Sequence, residues 1–362
     1  MALHFHPLAV KRITPDAAGS AAITFQVPPE LARPFDFRAG QFLTLRATID
    51  GQDLRRNYSI CSSTQRYLAS GEIDVGIKPV EGGVFSRWAV QTLQPGSVID
   101  VMPPDGRFSP RAEGARHRVG FAAGSGITPI LSIMATTLAG EPQSRFTLVY
   151  CNQRANTIMF NEALQDLKDR YPARVTLIHL LSRQPQEVAL LQGRLDEAKV
   201  NELLNALVPA SSIDEAFICG PEAMIEGTER ALKTAGVPAD RIHAERFVPP
   251  GGAVVARPRA QPEARLATGH AHQLDVVLDG KTHHLSMAAD DRVLDAALDA
   301  GLDLPYSCKG GVCCTCRARV LEGKVEMERN FTLERWEMDK GFVLTCQSRP
   351  LTDKVVVSYD ER

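Results

Sequence analysis

Cysteine placement constrains this chain more than any other feature. Cys308, Cys313, Cys314 and Cys316 crowd into one short stretch late in a sequence of 362 residues, and Cys346 stands alone downstream. Cys61, Cys151 and Cys219 are scattered singly through the rest. Residues 1–15 hold no continuous apolar run of the kind that heads a secreted chain. A reducing compartment, the cytoplasm, is therefore the expectation, and there a cysteine cluster reads as a metal or redox site rather than a disulfide framework. Cys308-x4-Cys313-x2-Cys316 with a distant Cys346 is the plant-type [2Fe–2S] spacing. Gly310 and Gly311 give a short loop the unusual backbone angles needed to wrap a cluster and bring N–H groups close to sulfur. A zinc ribbon is the alternative, but it normally supplies two paired C-x2-C knuckles, and here the fourth cysteine is unpaired. Spacing leaves Cys314 open, either as a ligand or as a thiol facing away from the irons.

The rest of the chain divides by period. Residues 1–111 read as short β-runs at 22–27, 41–47, 58–62, 73–80 and 97–102, with one helix at 84–92, which predicts an antiparallel β-barrel. Residues 112–248 alternate strand and helix, with strands at 119–123, 146–151, 175–182, 216–219 and 242–247. Helices fall at 129–138, 159–171, 197–207 and 222–235, so a doubly wound parallel sheet follows. Phe160, Leu164, Leu167 and Tyr171 share one face of the second helix. Residues 249–271 are Pro- and Gly-rich at their start and read as a linker. Residues 272–362 contain a hairpin turning at Asp279-Gly280, a helix at 292–300 and strands at 317–321 and 354–359, consistent with a small β-grasp domain round the cysteines. A net charge of −2 argues against nucleic-acid binding, and no apolar run reaches the roughly 18 residues of a membrane span.

Motifs in the first two regions carry the cofactor chemistry. Arg56-Asn57-Tyr58-Ser59 lies on a β-run and resembles the R-x-Y-S signature of ferredoxin–NADP reductase-like flavoproteins. An Arg offers a charged fork to a flavin pyrophosphate, a Tyr ring can lie against the isoalloxazine, and a Ser can hydrogen-bond near the flavin N5. Ile77-Lys78-Pro79 precedes Gly82-Gly83-Val84-Phe85-Ser86, where a helix N-terminus presents N–H groups to phosphate. The resemblance assigns flavin phosphate contacts to Gly83, Val84 and Ser86 and implies FAD. Gly124-Ser125-Gly126-Ile127-Thr128-Pro129 follows a strand and opens a helix, the context of a dinucleotide-binding turn, with Pro129 in place of the third glycine. Cys219-Gly220-Pro221 ends a later strand, and in the family this turn faces the nicotinamide. Glu245 and Phe247 occupy the place where relatives put a carboxylate and an aromatic near the flavin edge. No acidic residue ends the second strand of this region; Arg154 follows that strand and Ser182-Arg183 the next, which favours NADPH, with NADH as the alternative.

Barrel, nicotinamide region and C-terminal ferredoxin, in that order, resemble the reductase components of bacterial multicomponent oxygenases over nearly the whole length. The matching segments include Leu54–Cys61, Val84–Arg87, Ala122–Pro129, Asp214–Pro221 and Asp303–Cys313. The family implies hydride transfer from NAD(P)H to FAD, single electrons onward to the [2Fe–2S] cluster, and delivery to an oxygenase on another polypeptide. Ser59, Cys219 and Glu245 are then the residues at the reacting centre. The oxygenase can be of the phenylacetyl-CoA epoxidase kind or of a ring-hydroxylating or steroid hydroxylase kind. A ferredoxin-type carrier with a decayed flavin site is the reading from a different class, and the intact flavin and nicotinamide motifs argue against it. The acidic residues Asp290, Asp291, Asp295 and Asp299 are either a docking face or a solvated helix face.

Overall fold

The computed structural model describes residues 4–111, 114, 116–247 and 271–361. It divides into two compact units, the larger built from His6–Leu54 and Tyr58–Arg246 and the smaller chiefly from Phe247–Arg362. The expected linker falls almost wholly outside the described residues.

The larger unit begins with six strands: β1 (His6–Pro15), β2 (Ala21–Gln26), β3 (Phe42–Ile49), β4 (Gln52–Ser59), β5 (Glu72–Ile77) and β6 (Val98–Val101). They form one sheet in the order β4-β3-β6-β1-β2-β5. Alternate residues point inward, so Leu8 and Val10, Ile23 and Phe25, Leu43 and Leu45, and Ile73, Val75 and Ile77 make one core. Just past β4, Ile60 bridges to Val75 and the Cys61 N–H donates to the Asp74 carbonyl at 2.8 Å. The two outer strands are thereby joined and the sheet curls on itself. Two helices accompany it, α1 (Thr64–Ser70) and α2 (Val84–Thr92).

Five parallel strands follow: β7 (His117–Ala123), β8 (Arg145–Asn152), β9 (Val175–Leu181), β10 (Glu215–Cys219) and β11 (Ile242–Glu245). Their order is β11-β10-β7-β8-β9. Helices α3 (Ile127–Gly140), α4 (Asn161–Arg170), α5 (Glu197–Ala206) and α6 (Glu222–Thr234) connect them. Adjacent strands β7 and β10 leave toward opposite sides, which makes their C-terminal ends the switch point where such sheets hold ligands.

The smaller unit contains β12 (Ala271–Leu278), β13 (Lys281–Ala288), α7 (Val293–Asp299), β14 (Arg317–Glu322), β15 (Val325–Met327), α8 (Arg335–Asp339), β16 (Phe342–Leu344), β17 (Ser348–Pro350) and β18 (Lys354–Ser358). The main sheet runs β13-β12-β18-β14-β16, with β12 and β18 parallel. Val293, Leu294 and Ala297 of α7 are fully buried among its strands, as in a β-grasp. Asp279 and Gly280 both take positive φ, at 51° and 72°, and close the expected hairpin.

The barrel, the doubly wound sheet and the β-grasp agree with the expectation from sequence. Some local elements differ. β1 went unpredicted because little besides Leu8 and Val10 is buried along it. Helix α1 has one buried side chain, Tyr67, and is held instead by Ser63, whose hydroxyl accepts from the Arg66 N–H. β4 starts earlier than the run at 58–62. α4 starts at Asn161 rather than 159, because Phe160 adopts φ 58° and cannot be part of the helix. Gly310 is not among the residues with positive φ; Lys309 and Gly311 take that role at 50° and 82°.

The β8–β9 register sets Tyr150 beside His179, with ring centroids 6.1 Å apart. Both His179 ring nitrogens are buried without a hydrogen-bond partner among the described residues. Burial holds the imidazole below its ordinary value, so the folded protein keeps it neutral. The unfolded chain takes up that proton near pH 6.5, so the stability from neutral His179 is fully present above this pH and is lost as pH falls below it. His179→Leu removes two unsatisfied groups. Denaturant unfolding should find it at least as stable as the wild type near neutrality, with a shallower loss of stability toward about pH 5.5. An unchanged pH slope, or a loss near neutrality above about 1 kcal/mol, would count against this account of His179.

Candidate active site and cluster loop

β7 delivers the chain into the turn Gly124–Gly126, which leads directly into α3. Gly124 takes φ 53°, and the Tyr150 hydroxyl donates to its carbonyl at 2.8 Å. Thr128 Oγ1 donates to the Ser125 carbonyl at 3.0 Å. These two bonds use side-chain donors to hold the turn. The neighbouring strand β10 ends at Cys219, and its turn lies against the first. A Cβ on Gly126 would meet the Cys219 carbonyl oxygen at 2.0 Å and the Gly220 nitrogen at 3.0 Å. Only glycine fits there.

The switch point also gathers the expected reacting-centre residues. Cys219 pairs with Glu245 in the β10–β11 register, and Ser59 Oγ donates to Glu245 Oε2 at 3.4 Å. Burial pushes the Glu245 carboxyl up to about 8, against a smaller downward pull from Ser59. Burial keeps the Cys219 thiol protonated, and once Glu245 ionises above about pH 8 its charge adds to that effect. Ser59, Cys219 and Glu245, distant in sequence, thus form one cluster with a thiol, a hydroxyl and a carboxyl that holds its proton at neutral pH.

On the barrel side, Tyr58 lies 5.8 Å from Phe85 between ring centroids, and Phe85 in turn lies 5.5 Å from Trp88. Arg56 is exposed on β4 and Asn57 is half-buried. Gly83 is the N-cap of α2 and has no side-chain cap, so the first-turn N–H groups at Val84 and Ser86 are available to a phosphate. The Ser86 hydroxyl accepts from the Val80 N–H at 3.2 Å. Ile77 is fully buried in the barrel core, which leaves only its backbone for a cofactor. Lys78 Nζ reaches within 3.8 Å of the place a Cβ on Gly124 would take, so it bridges the flavin and nicotinamide segments.

Arg154 and Arg183 follow the adjacent strands β8 and β9 and are exposed, with no ion pair among the described residues. Backbone bonds from Ser182 N to the Asn152 carbonyl and from Arg183 N to the Gln153 carbonyl, both 2.9 Å, keep the two segments side by side. The Ser182 hydroxyl also donates to the Asn152 carbonyl, at 3.3 Å. Phe247 is 43% exposed just beyond β11.

In the smaller unit the cysteine sulfurs are grouped two and two. Cys308 and Cys313 are in side-chain hydrogen-bond contact, and so are Cys316 and Cys346. The contact with Cys313, helped by backbone N–H groups of Gly310, Val312 and Cys313, lowers the Cys308 thiol to about 6, while the Cys308 contact and burial raise Cys313. The Gly310 N–H donates to Cys308 Sγ at 3.3 Å. Among the described residues, no three or more His, Cys, Asp or Glu side chains are grouped to hold a single ion. Two pairs of thiols fit a [2Fe–2S] cluster with two thiolates on each iron. Cys314 points elsewhere: its sulfur lies 3.3 Å from Thr332 Oγ1, in the domain core.

Three family models match the chain in order: an oxidoreductase FAD-binding domain over residues 10–109, an oxidoreductase NAD-binding domain over 121–230, and a 2Fe-2S iron-sulfur cluster binding domain over 276–351. The chain is 46% identical over 361 residues to a component of 1,2-phenylacetyl-CoA epoxidase from Escherichia coli strain K12, covering 99% of this chain and 98% of that protein. It is 34% identical to the ferredoxin reductase component of 3-ketosteroid-9-alpha-monooxygenase from Rhodococcus rhodochrous, covering 97% and 96%. This chain belongs to the reductase components of multicomponent oxygenases. The reductase shares its fold with phthalate dioxygenase reductase, at a TM-score of 0.60 and 20% identity over 98% of both chains. It is an oxidoreductase with FAD-binding, NAD-binding and [2Fe–2S] domains. Among its described residues, no helix is long and apolar enough to cross a membrane.

Sequence reasoning missed Tyr150, which holds the Gly124 turn, and Phe85, which backs Tyr58. Both look like ordinary core aromatics until the fold places them.

Glu245, with its carboxyl raised to about 8, changes protonation in the working range. Glu245→Gln should lower kcat for NADPH-dependent ferricyanide reduction roughly tenfold to hundredfold. The wild-type kcat should fall as pH rises through about 8, and the variant should lose that inflection. An inflection that persists unchanged in Glu245→Gln would assign it to another group.

Proposed function

We propose that this reductase draws hydride from NADPH and delivers electrons singly to a phenylacetyl-CoA epoxidase-type oxygenase in phenylacetate breakdown, in the cytoplasm. The observation that carries the reading is the grouping of Ser59, Cys219 and Glu245 at the switch point, in the same chain as two paired thiol sets suited to a two-iron cluster. When bound, FAD would supply the exchange between a two-electron hydride and single electrons, and a [2Fe–2S] cluster held by Cys308, Cys313, Cys316 and Cys346 would supply a one-electron carrier.

The chain's own residues bind and orient. Arg56, Tyr58 and the α2 N-terminus hold the flavin, with Asn57, Ile77 and Lys78 lining its approach. The Gly124-Ser125-Gly126 turn with Thr128 receives the coenzyme pyrophosphate at the start of α3. Cys219, Gly220 and Pro221 are the residues that would hold the nicotinamide, and Phe247 the aromatic that would meet the flavin. Ser59 and Glu245 hold a proton beside the reacting atoms. Arg154 and Arg183, two cations without an ion pair among the described residues, with Ser182 between their strands, favour a coenzyme carrying a 2′-phosphate. We further propose the division into a flavin domain at 1–111, a nicotinamide domain at 112–248, a linker at 249–271 and a ferredoxin domain at 272–362.

The partner assignment rests on the 46% identity to the epoxidase component, against 34% for the steroid monooxygenase reductase. Reconstitution with purified epoxidase components and NADPH should give phenylacetyl-CoA turnover. Cys346→Ser should stop that turnover yet leave ferricyanide reduction, because the flavin serves ferricyanide directly. Failure with the epoxidase alongside turnover with a different oxygenase would remove the specific assignment and leave the reductase reading in place. Arg183→Ala should raise KM roughly tenfold or more for NADPH and little for NADH, as loss of a charge-assisted pair implies. Equal rises for both coenzymes would show that Arg183 does not read the 2′-phosphate.

A further inference from the structure

Gln347 follows Cys346 and is 1% exposed. Its side-chain Nε2 donates to the Lys309 carbonyl at 2.9 Å and to the Cys346 carbonyl at 2.9 Å, and it lies 3.4 Å from Cys346 Sγ. Two carbonyl acceptors round one end of the amide require that end to be the NH2. Its main-chain carbonyl accepts from the Glu328 N–H at 2.9 Å, and its Cγ is 3.4 Å from the place a Cβ on Gly311 would take. The loop after Cys308 and the turn at Cys346 thus meet at one buried amide.

The other supports of this turn do not make that connection. Thr345 donates through both its N–H and its hydroxyl to the Cys316 carbonyl, at 3.2 and 2.9 Å. Ser348 Oγ donates to the Leu344 carbonyl at 2.8 Å, within the turn itself. Neither of these bonds reaches the segment round Cys308, and neither ends on a sulfur.

We propose that Gln347 is a positioning residue for the [2Fe–2S] cluster: it straps the Cys346 turn to the Cys308 loop through the Lys309 carbonyl, and its second N–H, shared between the Cys346 carbonyl and the Cys346 sulfur, raises the cluster's reduction potential. An electron entering the cluster adds one negative charge, part of which spreads onto the thiolate sulfurs. A donor aimed at sulfur stabilises that reduced state more than the oxidised one. The inference rests on the cluster assignment, and a wild-type protein without two irons and a rhombic EPR signal would fail that assignment instead.

The test uses the full-length holoprotein with Gln347→Met and Gln347→Leu, both apolar and similar in length to glutamine, and Ser348→Ala as a control in the same turn. Iron per chain, flavin absorbance and the EPR-monitored midpoint potential are measured for each. At a fixed solution potential the reduced-to-oxidised ratio of the cluster should fall about tenfold in the Gln347 variants, a shift of about 59 mV to more negative values for one electron. Ser348→Ala should keep the wild-type potential. Loss of iron from the Gln347 variants with flavin retained would support the strap. Full iron with an unchanged potential, or an equal shift in Ser348→Ala, would overturn the proposal.

Discussion

The close approach of Gly126 to Cys219 is the constraint on which the active site depends. Loops that leave β7 and β10 in opposite directions open a crevice at the C-terminal edge of the sheet, and a crevice alone fixes nothing. Here its base is closed by backbone on backbone. The atoms a Cβ at residue 126 would strike are a carbonyl carbon, its oxygen and an amide nitrogen, so no side-chain rotation could relieve the clash. The contact sets the Gly124–Gly126 turn against the Cys219-Gly220-Pro221 turn. It thereby sets Cys219, then Glu245 through strand register, and then Ser59 through a hydrogen bond that crosses to the barrel.

Two glutamates of this unit, Glu215 buried and Glu245 half-buried, show how environment assigns their tasks. Glu215 opens β10 at the opposite end of the sheet. Burial alone would raise its pKa, but the contacts from His243, the Arg111 N–H and Arg118 outweigh burial and leave it at about 2. Arg118 is fully buried, 2.9 Å from Glu215 and also paired with Glu141. Such a network holds an ion permanently and does not exchange protons near neutrality; removing one member would leave a buried charge unpaired. Among the described residues Glu245 has one weak donor, at 3.4 Å, and desolvation prevails. The carboxyl that can change state at neutral pH is the one the fold leaves short of donors, and it is the one at the switch point.

How much of this was legible in the sequence follows from the range of the interactions involved. Alternating strand and helix across β7 to β11 is a local signal, and those elements lie where the hydrophobic period puts them. The thiol spacing and the Gly124 turn are local too. Helix α1 and strand β1 were not legible, since one rests on its two caps, Ser63 and Gly71, and the other buries little of its length. The meeting of Ser59, Cys219 and Glu245 could be expected only through resemblance to a family, because no pattern within any one segment records it. Ile77, Ser86, Thr128 and Ser182 show a further limit. A motif names the residue, but whether its side chain or its backbone faces the ligand depends on what else that side chain bonds to.

The cluster site divides along the same line. The Cys308–Cys313 pair is made by one loop, in which Lys309 and Gly311 take positive φ and N–H groups turn toward the Cys308 sulfur. Its geometry is written in neighbouring residues, and the x4 spacing announces it. The Cys316–Cys346 pair is made by strand pairing: Cys316 precedes β14, Cys346 follows β16, and the register sets Arg317 opposite Leu344. A slip of one residue would turn successive side chains to the other face and separate the two sulfurs. Tyr359 and Thr345, joined by a 2.7 Å hydrogen bond in the core, brace that register from β18. One half of the site is therefore assembled locally and the other only when the β-grasp sheet has closed, so a two-iron cluster can be gripped by all four thiols only in the folded domain.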